Sequence, residues 1–125
     1  MMSSERCALF MTKDRAYIEH ISQAISDIEK FMEEVSENEF YKNREKQYAI
    51  MRALEIISEA TRNLSKEIKA KSPETDWTNI AGMRDKLIHV YFGINLPLIW
   101  QVVKRDLPQL KKQTQKLLEN VDSTS

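Results

Sequence analysis

An all-α fold is what this sequence predicts, and three observations carry the prediction. Apolar residues recur at three- and four-residue intervals through most of the 125 positions, the spacing of one face of a helix. Only two glycines and three prolines interrupt the chain, too few for an architecture with many turns. A composition of 42% hydrophobic and 30% charged residues suits a helical globule and argues against disorder. The length is that of one ordinary domain, enough to bury a core. Residues 1–11 read as a flexible extension, with Met11 as a candidate start of the functional part. Residues 12–120 read as a single helical domain and 121–125 as a polar tail.

The first helix is expected from Thr12 to about Val35. Tyr17, Ile21, Ala24, Ile28, Phe31 and Val35 form its stripe, and the Thr12 hydroxyl can cap a free amide of its first turn. "SENEFYKN", residues 36–43, breaks the period and reads as a connection. A second, long helix starts near Glu45 and runs through Ile50, Leu54, Ile57, Ala60, Leu64 and Ile68, ending before Pro73, which disfavours a helical Ser72. Asp76 can cap a third helix over Trp77, Ile80, Met83, Leu87, Ile88 and Tyr91, with Gly93 as a left-handed stop. Asn95 can cap a fourth, with Leu98, Ile99 or Trp100, Val102 and Val103 inward. That helix must kink or restart at Pro108, where Asp106 is a possible second cap, before Leu110, Leu117 and Leu118 carry the apolar face onward. Helices joined by short connections cannot bury their stripes separately, so an antiparallel up-and-down four-helix bundle is the simplest arrangement.

Nineteen basic residues balance nineteen acidic ones, so net charge gives no argument for a nucleic-acid partner. The signs are segregated, however. Asp27, Glu29, Glu33, Glu34 and Glu37 make the first helix and its end acidic, whereas Lys86, Lys104, Arg105, Lys111, Lys112 and Lys116 predict one basic end of the fold. These bases read first as a solvated face, and as an RNA track only if they line the same cleft as Arg84. Cys7 is the only cysteine, which rules out an intrachain disulfide and a thiolate zinc cluster and suits a reducing cytoplasm. No apolar run approaches the roughly 20 residues that span a bilayer. A cytoplasmic location is therefore expected.

Polar groups concentrate on the expected third helix. In "RDKLIHVYFG", Arg84 and Tyr91 lie about 20° apart around an ideal helix, and Asp85 and His89 stand at the i, i+4 spacing at which side chains touch. Asp85 could thus orient His89. Arg84 and His89 are about 140° apart, so one site can hold both only if the arginine bends round or a second surface closes over it. An imidazole exchanges protons near neutrality, a guanidinium grips phosphate oxygens, and a phenol can be hydrogen-bonded or modified. Together these suit phosphodiester cleavage in RNA, where the 2′-hydroxyl is an internal nucleophile and a base plus a cation suffice without metal. The same residues also read as ordinary bundle chemistry: Tyr91 as packing, Asp85 with His89 as a surface pair, Arg84 as an ion-pair partner. Glu59, amid apolar neighbours, is expected to be paired with Arg62 or Arg84 because unpaired burial is costly. His20 reads as structural or solvent-facing.

"RALEIISEATRNLSKEI" and "SPETDWTNIAGMRDKLIHVYFGINLPLIWQVVKRDLPQL" resemble the HepT-like branch of the HEPN superfamily. The R-x4-H-x-Y signature falls on Arg84, His89 and Tyr91, between a "W-x2-I-x-G-M-R" and a "W-x5-D-L-P-x-L" pattern, and the likeness extends from about Thr12 to Leu118. Where the family usually has glycine before the helix-two glutamate and alanine, this chain has Ser58, a small change expected to leave the site undisturbed. The resemblance implies a helical homodimer with Arg84 and His89 of both copies near one cleft. It also implies a metal-independent endoribonuclease, the toxin of a toxin–antitoxin pair. Its antitoxin would be an MntA-type minimal nucleotidyltransferase that uses ATP to transfer AMP onto Tyr91. Arg84 and His89 would then be catalytic, with Asp85 and Glu59 supporting, no metal and no cofactor of the chain's own. The competing expectation is a non-catalytic helical adaptor that binds the nucleotidyltransferase.

Overall fold

The computed structural model describes residues 4–89 and 93–123, and within them the side chains of 13–87 and 95–120. Helix α1 (Ser4–Phe31) buries Ile21, Ala24 and Ile28 of the expected stripe together with Ile18 and Ile25, but it ends at Phe31 and not near Val35, Phe31 is exposed, and Tyr17 and Val35 are half-buried. The helix also begins earlier than expected: the backbone is already helical before Thr12, so Thr12 is not its N-cap. Past its end, Glu34 takes a left-handed φ of 59°, a conformation glycine adopts with less strain.

The stretch expected as a connection holds a short helix, α2 (Glu37–Lys42). Ser36 caps it, its Oγ accepting from the Glu39 amide at 3.2 Å, and Glu39 stands at the capping-box position. The helix drives Phe40 into the core, fully buried, with its ring centroid 6.0 Å from that of Trp100. Gln47 is buried too, and its amide donates to the Phe40 and Tyr41 carbonyls at 2.9 and 3.1 Å, completing the end of α2.

Helix α3 (Arg44–Arg62) starts from the Asn43 cap and buries Ile50, Ala53, Leu54, Ile57 and Ala60. It does not reach Ile68 unbroken. Ser65 caps a separate α4 (Lys66–Ala70), and Asp14 of α1 captures Ser65 itself, accepting from its amide at 2.9 Å and its hydroxyl at 2.5 Å. A carboxylate brought from α1 thus holds the backbone where helix continuation would have used it. Ile68 stays buried, so the apolar period survives the break.

The expected third helix is divided. Asp76 caps α5 (Trp77–Ala81) through the Asn79 amide at 3.1 Å, and after a turn at Gly82 the chain forms α6 (Met83–Leu87). Helix ends there. Residues 88–92, Ile-His-Val-Tyr-Phe, are β-branched and aromatic with one histidine between, a composition that favours extended backbone over helix. Accordingly β1 (Ile88–His89) pairs antiparallel with β2 (Gly93–Ile94), Ile88 opposite Ile94 and His89 opposite Gly93. Gly93 therefore lies in a strand and not at a helix stop.

Asn95 caps α7 (Leu96–Gln101), its side chain accepting from the Leu98 amide at 3.2 Å, and Ile99 supplies the fully buried side chain. The fourth helix is interrupted just before Pro108, as expected, but Asp106 is part of that interruption and not a cap. A π-helical turn over Val102–Asp106 lets the Leu107 amide bond the Val102 carbonyl, and the chain continues into α8 (Leu107–Ser123). Proline lacks an N–H and crowds the carbonyl four residues back, and the wider turn accommodates both. Helix α1 packs against α3 and α8, while α3 also holds α2, α5 and α6. Apart from the two-residue ladder, the regular structure of the described residues is helical, so the all-α expectation holds. None of these helices is long and apolar enough to cross a membrane.

Candidate functional site

The site begins with one stripe of α3. Glu55, Ser58 and Arg62 recur at three and four residues, so they share a face, and that face meets α5 and α6. Ser58 is buried and its Oγ donates to the Ala81 carbonyl at 2.6 Å. Arg62 Nε donates to the same carbonyl at 3.0 Å, and its Nη2 lies 3.8 Å from Asp85 Oδ2. Glu55 faces Arg84, with Oε1 3.8 Å from Nε, and its other oxygen is 3.4 Å from Arg52 Nη1.

Helix α6 seats itself through Met83 and Leu87, both buried, which turns Arg84, Asp85 and Lys86 outward. The Arg84 side chain is 56% exposed. Its nearest counter-charge is at the outer limit of an ion pair, so the guanidinium remains accessible to an anionic ligand at little cost. Lys86 donates to the Asn79 side chain across the α5–α6 break. From Leu87 the chain passes directly into β1, and the Asn95 amide returns to the Leu87 carbonyl at 3.1 Å, closing the excursion that carries His89.

The sequence-expected residues fall out unequally. Arg84 is on an exposed helical face and His89 two residues beyond that helix; Tyr91 lies outside the described residues. Because α6 ends at Leu87, Asp85 and His89 do not stand one turn apart on a helix, and the ground for Asp85 orienting His89 is removed; Asp85 faces Arg62 instead. The 140° separation of Arg84 and His89 lapses for the same reason. Glu59 is exposed, so the burial argument for its supporting role fails; Arg62 and Arg84 pair with Asp85 and Glu55 respectively. The expectation that Ser58 merely leaves the site undisturbed understates it, since its hydroxyl ties α3 to the end of α5. Of the bases after Trp100, Lys104 lies over the Trp100 ring at 4.8 Å and Lys111 pairs with Glu29 at 3.0 Å. His20 is exposed and sets its ring edge-on to Tyr17 at 6.2 Å, a packing role.

Sequence reasoning missed Glu55 and Arg62 as neighbours of the motif, although the three- and four-residue spacing of Glu55, Ser58 and Arg62 was there to be read. A family model described as "Ribonuclease HepT-like" matches residues 21–117, a span that includes this whole assembly and the R-x4-H-x-Y motif. The chain belongs to the HepT-like ribonuclease family. Among its relatives, the "Probable ribonuclease HepT" of Thermococcus cleftensis is 45% identical over 101 residues, 81% of this chain and 92% of that protein. A "Putative RNase" of Caldanaerobacter subterraneus subsp. tengcongensis is 41% identical over 109 residues, 87% of this chain and 97% of that protein. A further relative, in Methanocaldococcus jannaschii, is a "Gamma-glutamylcyclotransferase and putative RNase" that is 41% identical over 113 residues, 90% of this chain but 51% of that protein. No solved structure matches the chain. Helical architecture and membership of the HepT-like family thus agree with the resemblance drawn from the motif.

Proposed function

We propose that this protein is a metal-independent endoribonuclease and the toxin of a toxin–antitoxin pair. The observation that carries the reading is the setting of Arg84: exposed, loosely engaged by Glu55, on a short helix that leads straight into His89, in a chain of the HepT-like ribonuclease family. In the proposed reaction His89 takes the proton of an RNA 2′-hydroxyl, and the oxygen attacks the adjacent phosphorus. The O–P bond to the next nucleoside's 5′-oxygen breaks, leaving a 2′,3′-cyclic phosphate, and that oxygen leaves as a hydroxyl once it has gained a proton. The Arg84 guanidinium neutralises the phosphorane that forms between the two steps, where charge is greatest. One imidazole can act as base and then acid, and a homodimer with both copies facing one cleft would provide two.

Control would come from a cognate MntA-type nucleotidyltransferase. Attack of the Tyr91 hydroxyl on the α-phosphorus of ATP, with pyrophosphate leaving, would place AMP two residues from His89. A bulky anion there would fill the cleft and compete with RNA for Arg84.

Purified protein should cleave RNA in the presence of EDTA, and Arg84→Ala or His89→Ala should each reduce the rate by about 10²–10³-fold while the protein stays folded. Full cleavage by either variant would refute the mechanism, and no cleavage by the folded wild type would leave a non-catalytic adaptor. With the nucleotidyltransferase and ATP, the wild type should gain the mass of one AMP and Tyr91→Phe should not; an equal gain in the variant would move the modification elsewhere.

A further inference from the structure

We propose that Arg62 is the positioning residue for Arg84, acting with Ser58 as a clamp across the break between α5 and α6. This rests on the reading of Arg84 as the phosphate-binding cation. Helix α6 is five residues long, and a segment so short has no helical stability of its own. The burial of Met83 and Leu87 sets which face of α6 is outward, and where Arg84 points on that face is decided by what fixes the two ends of α6. Its C-terminal end is closed by the Asn95 amide on the Leu87 carbonyl at 3.1 Å. At its N-terminal end the turn at Gly82 is held by the Ala81 carbonyl, on which two donors from α3 converge: Ser58 Oγ at 2.6 Å and Arg62 Nε at 3.0 Å.

Arg62 does more than duplicate Ser58. While Nε hydrogen-bonds the last carbonyl of α5, Nη2 lies 3.8 Å from the exposed Asp85 Oδ2 of α6, at the outer limit of an ion pair, so one planar group faces both sides of the break and holds the α5 side firmly. Asp85 is the residue next to Arg84, and Glu55, one stripe position before Ser58, meets Arg84 itself. The result is a register: α3 reads Glu55 to Arg84, Ser58 to Ala81, Arg62 to Ala81 and Asp85. A lysine at position 62 has a single nitrogen and cannot make the same fork. Release of the clamp would let α6 turn about the Gly82 joint and shift the guanidinium, and a misplacement of about 1 Å at a reacting group can lower a rate about 10²-fold.

The test is steady-state cleavage, in EDTA, of a fluorogenic single-stranded RNA chosen as the sequence the wild type cuts fastest in a random pool. Arg62→Ala should lower kcat about 10–100-fold with KM changed less than about threefold. Arg62→Lys should match the wild type in circular dichroism and unfolding midpoint yet recover only part of kcat; recovery in full would show a merely structural role and overturn the clamp. Arg62→Ala combined with Arg84→Ala should be no slower than Arg84→Ala alone, within about twofold, because Arg62 acts through Arg84. Equal kcat for Arg62→Ala and wild type, with Arg84→Ala inactive, would overturn the clamp and spare the reading of Arg84. Full activity of Arg84→Ala would overturn that reading itself. Should Arg62→Ala not fold, Ser58→Ala, which removes the other donor to Ala81, and Arg62→Lys carry the same criteria.

Discussion

Removing the Asp14 carboxylate should destabilise the fold more than any other single change at a charged residue. Asp14 is 6% exposed and accepts two hydrogen bonds from Ser65, from the amide at 2.9 Å and from the hydroxyl at 2.5 Å. Bonds to an ionised acceptor contribute about 1.5–3 kcal/mol each, and half-buried Ser65 can recover part of this from water, so Asp14→Ala should cost about 3 kcal/mol. Ser65 Oγ still accepts from the Ile68 amide at 3.2 Å, so the α4 cap itself survives. Asp14→Asn keeps one acceptor oxygen for the Ser65 amide but presents an amide to the hydroxyl, and should cost about 1 kcal/mol. In urea, with a slope of about 1.5 kcal/mol per molar for a domain of this size, the midpoints should fall by about 2 M for Asp14→Ala and under about 1 M for Asp14→Asn. A double-mutant cycle with Ser65→Ala should show a coupling of at least about 1 kcal/mol. An Asp14→Ala variant within about 0.5 kcal/mol of wild type, or no coupling, would refute the claim that this carboxylate holds the α3–α4 junction.

Other outcomes follow from the same kind of reasoning. Phe40→Ala empties a fully buried position beside Trp100 and should cost about 3–5 kcal/mol by chemical denaturation, a loss no simple connecting loop would show. Glu34→Gly relieves a left-handed residue at φ 59° and should raise stability by about 0.5–1 kcal/mol, read as an increase in melting temperature. The Tyr41 hydroxyl donates to Glu37 Oε1 at 2.6 Å, and this bond above all, then burial and the negative charge, raises its pKa above the ordinary 10.0. A raised phenol contributes stability that is complete below pH 10.0 and is lost as pH climbs through the folded value. Tyrosinate absorbance should therefore show Glu37→Gln lowering that titration toward the ordinary value, and Tyr41→Phe should flatten the alkaline loss of stability.

Apolar periodicity made the long helices readable because it depends only on burial, which one sequence states directly. Ile18, Ile21, Ile25 and Ile28, or Ile50, Leu54 and Ile57, each name the face that ends in the core. It says less about continuity. Ile68 remains in phase across the α3–α4 break and Leu87 across the α5–α6 break, so the stripe conceals both, and one of them depends on Asp14, distant in sequence. Where local chemistry alone decides, the signal was present: Ser36 and Glu39 form a capping pattern, and the run from Ile88 to Phe92 favours extended backbone. The candidate site suffers most from this difference. Its motif was readable as a pattern, yet the geometry first assigned to it assumed one helix through His89. Once α6 ends at Leu87, the ideal-helix angle between Arg84 and His89 has no meaning. Whether the two meet is governed by how α6 is anchored, which moves the question from the motif to the stripe of α3 behind it. Glu55, Ser58 and Arg62 carry no catalytic signature of their own, and only the fold brings them against the segment that bears Arg84.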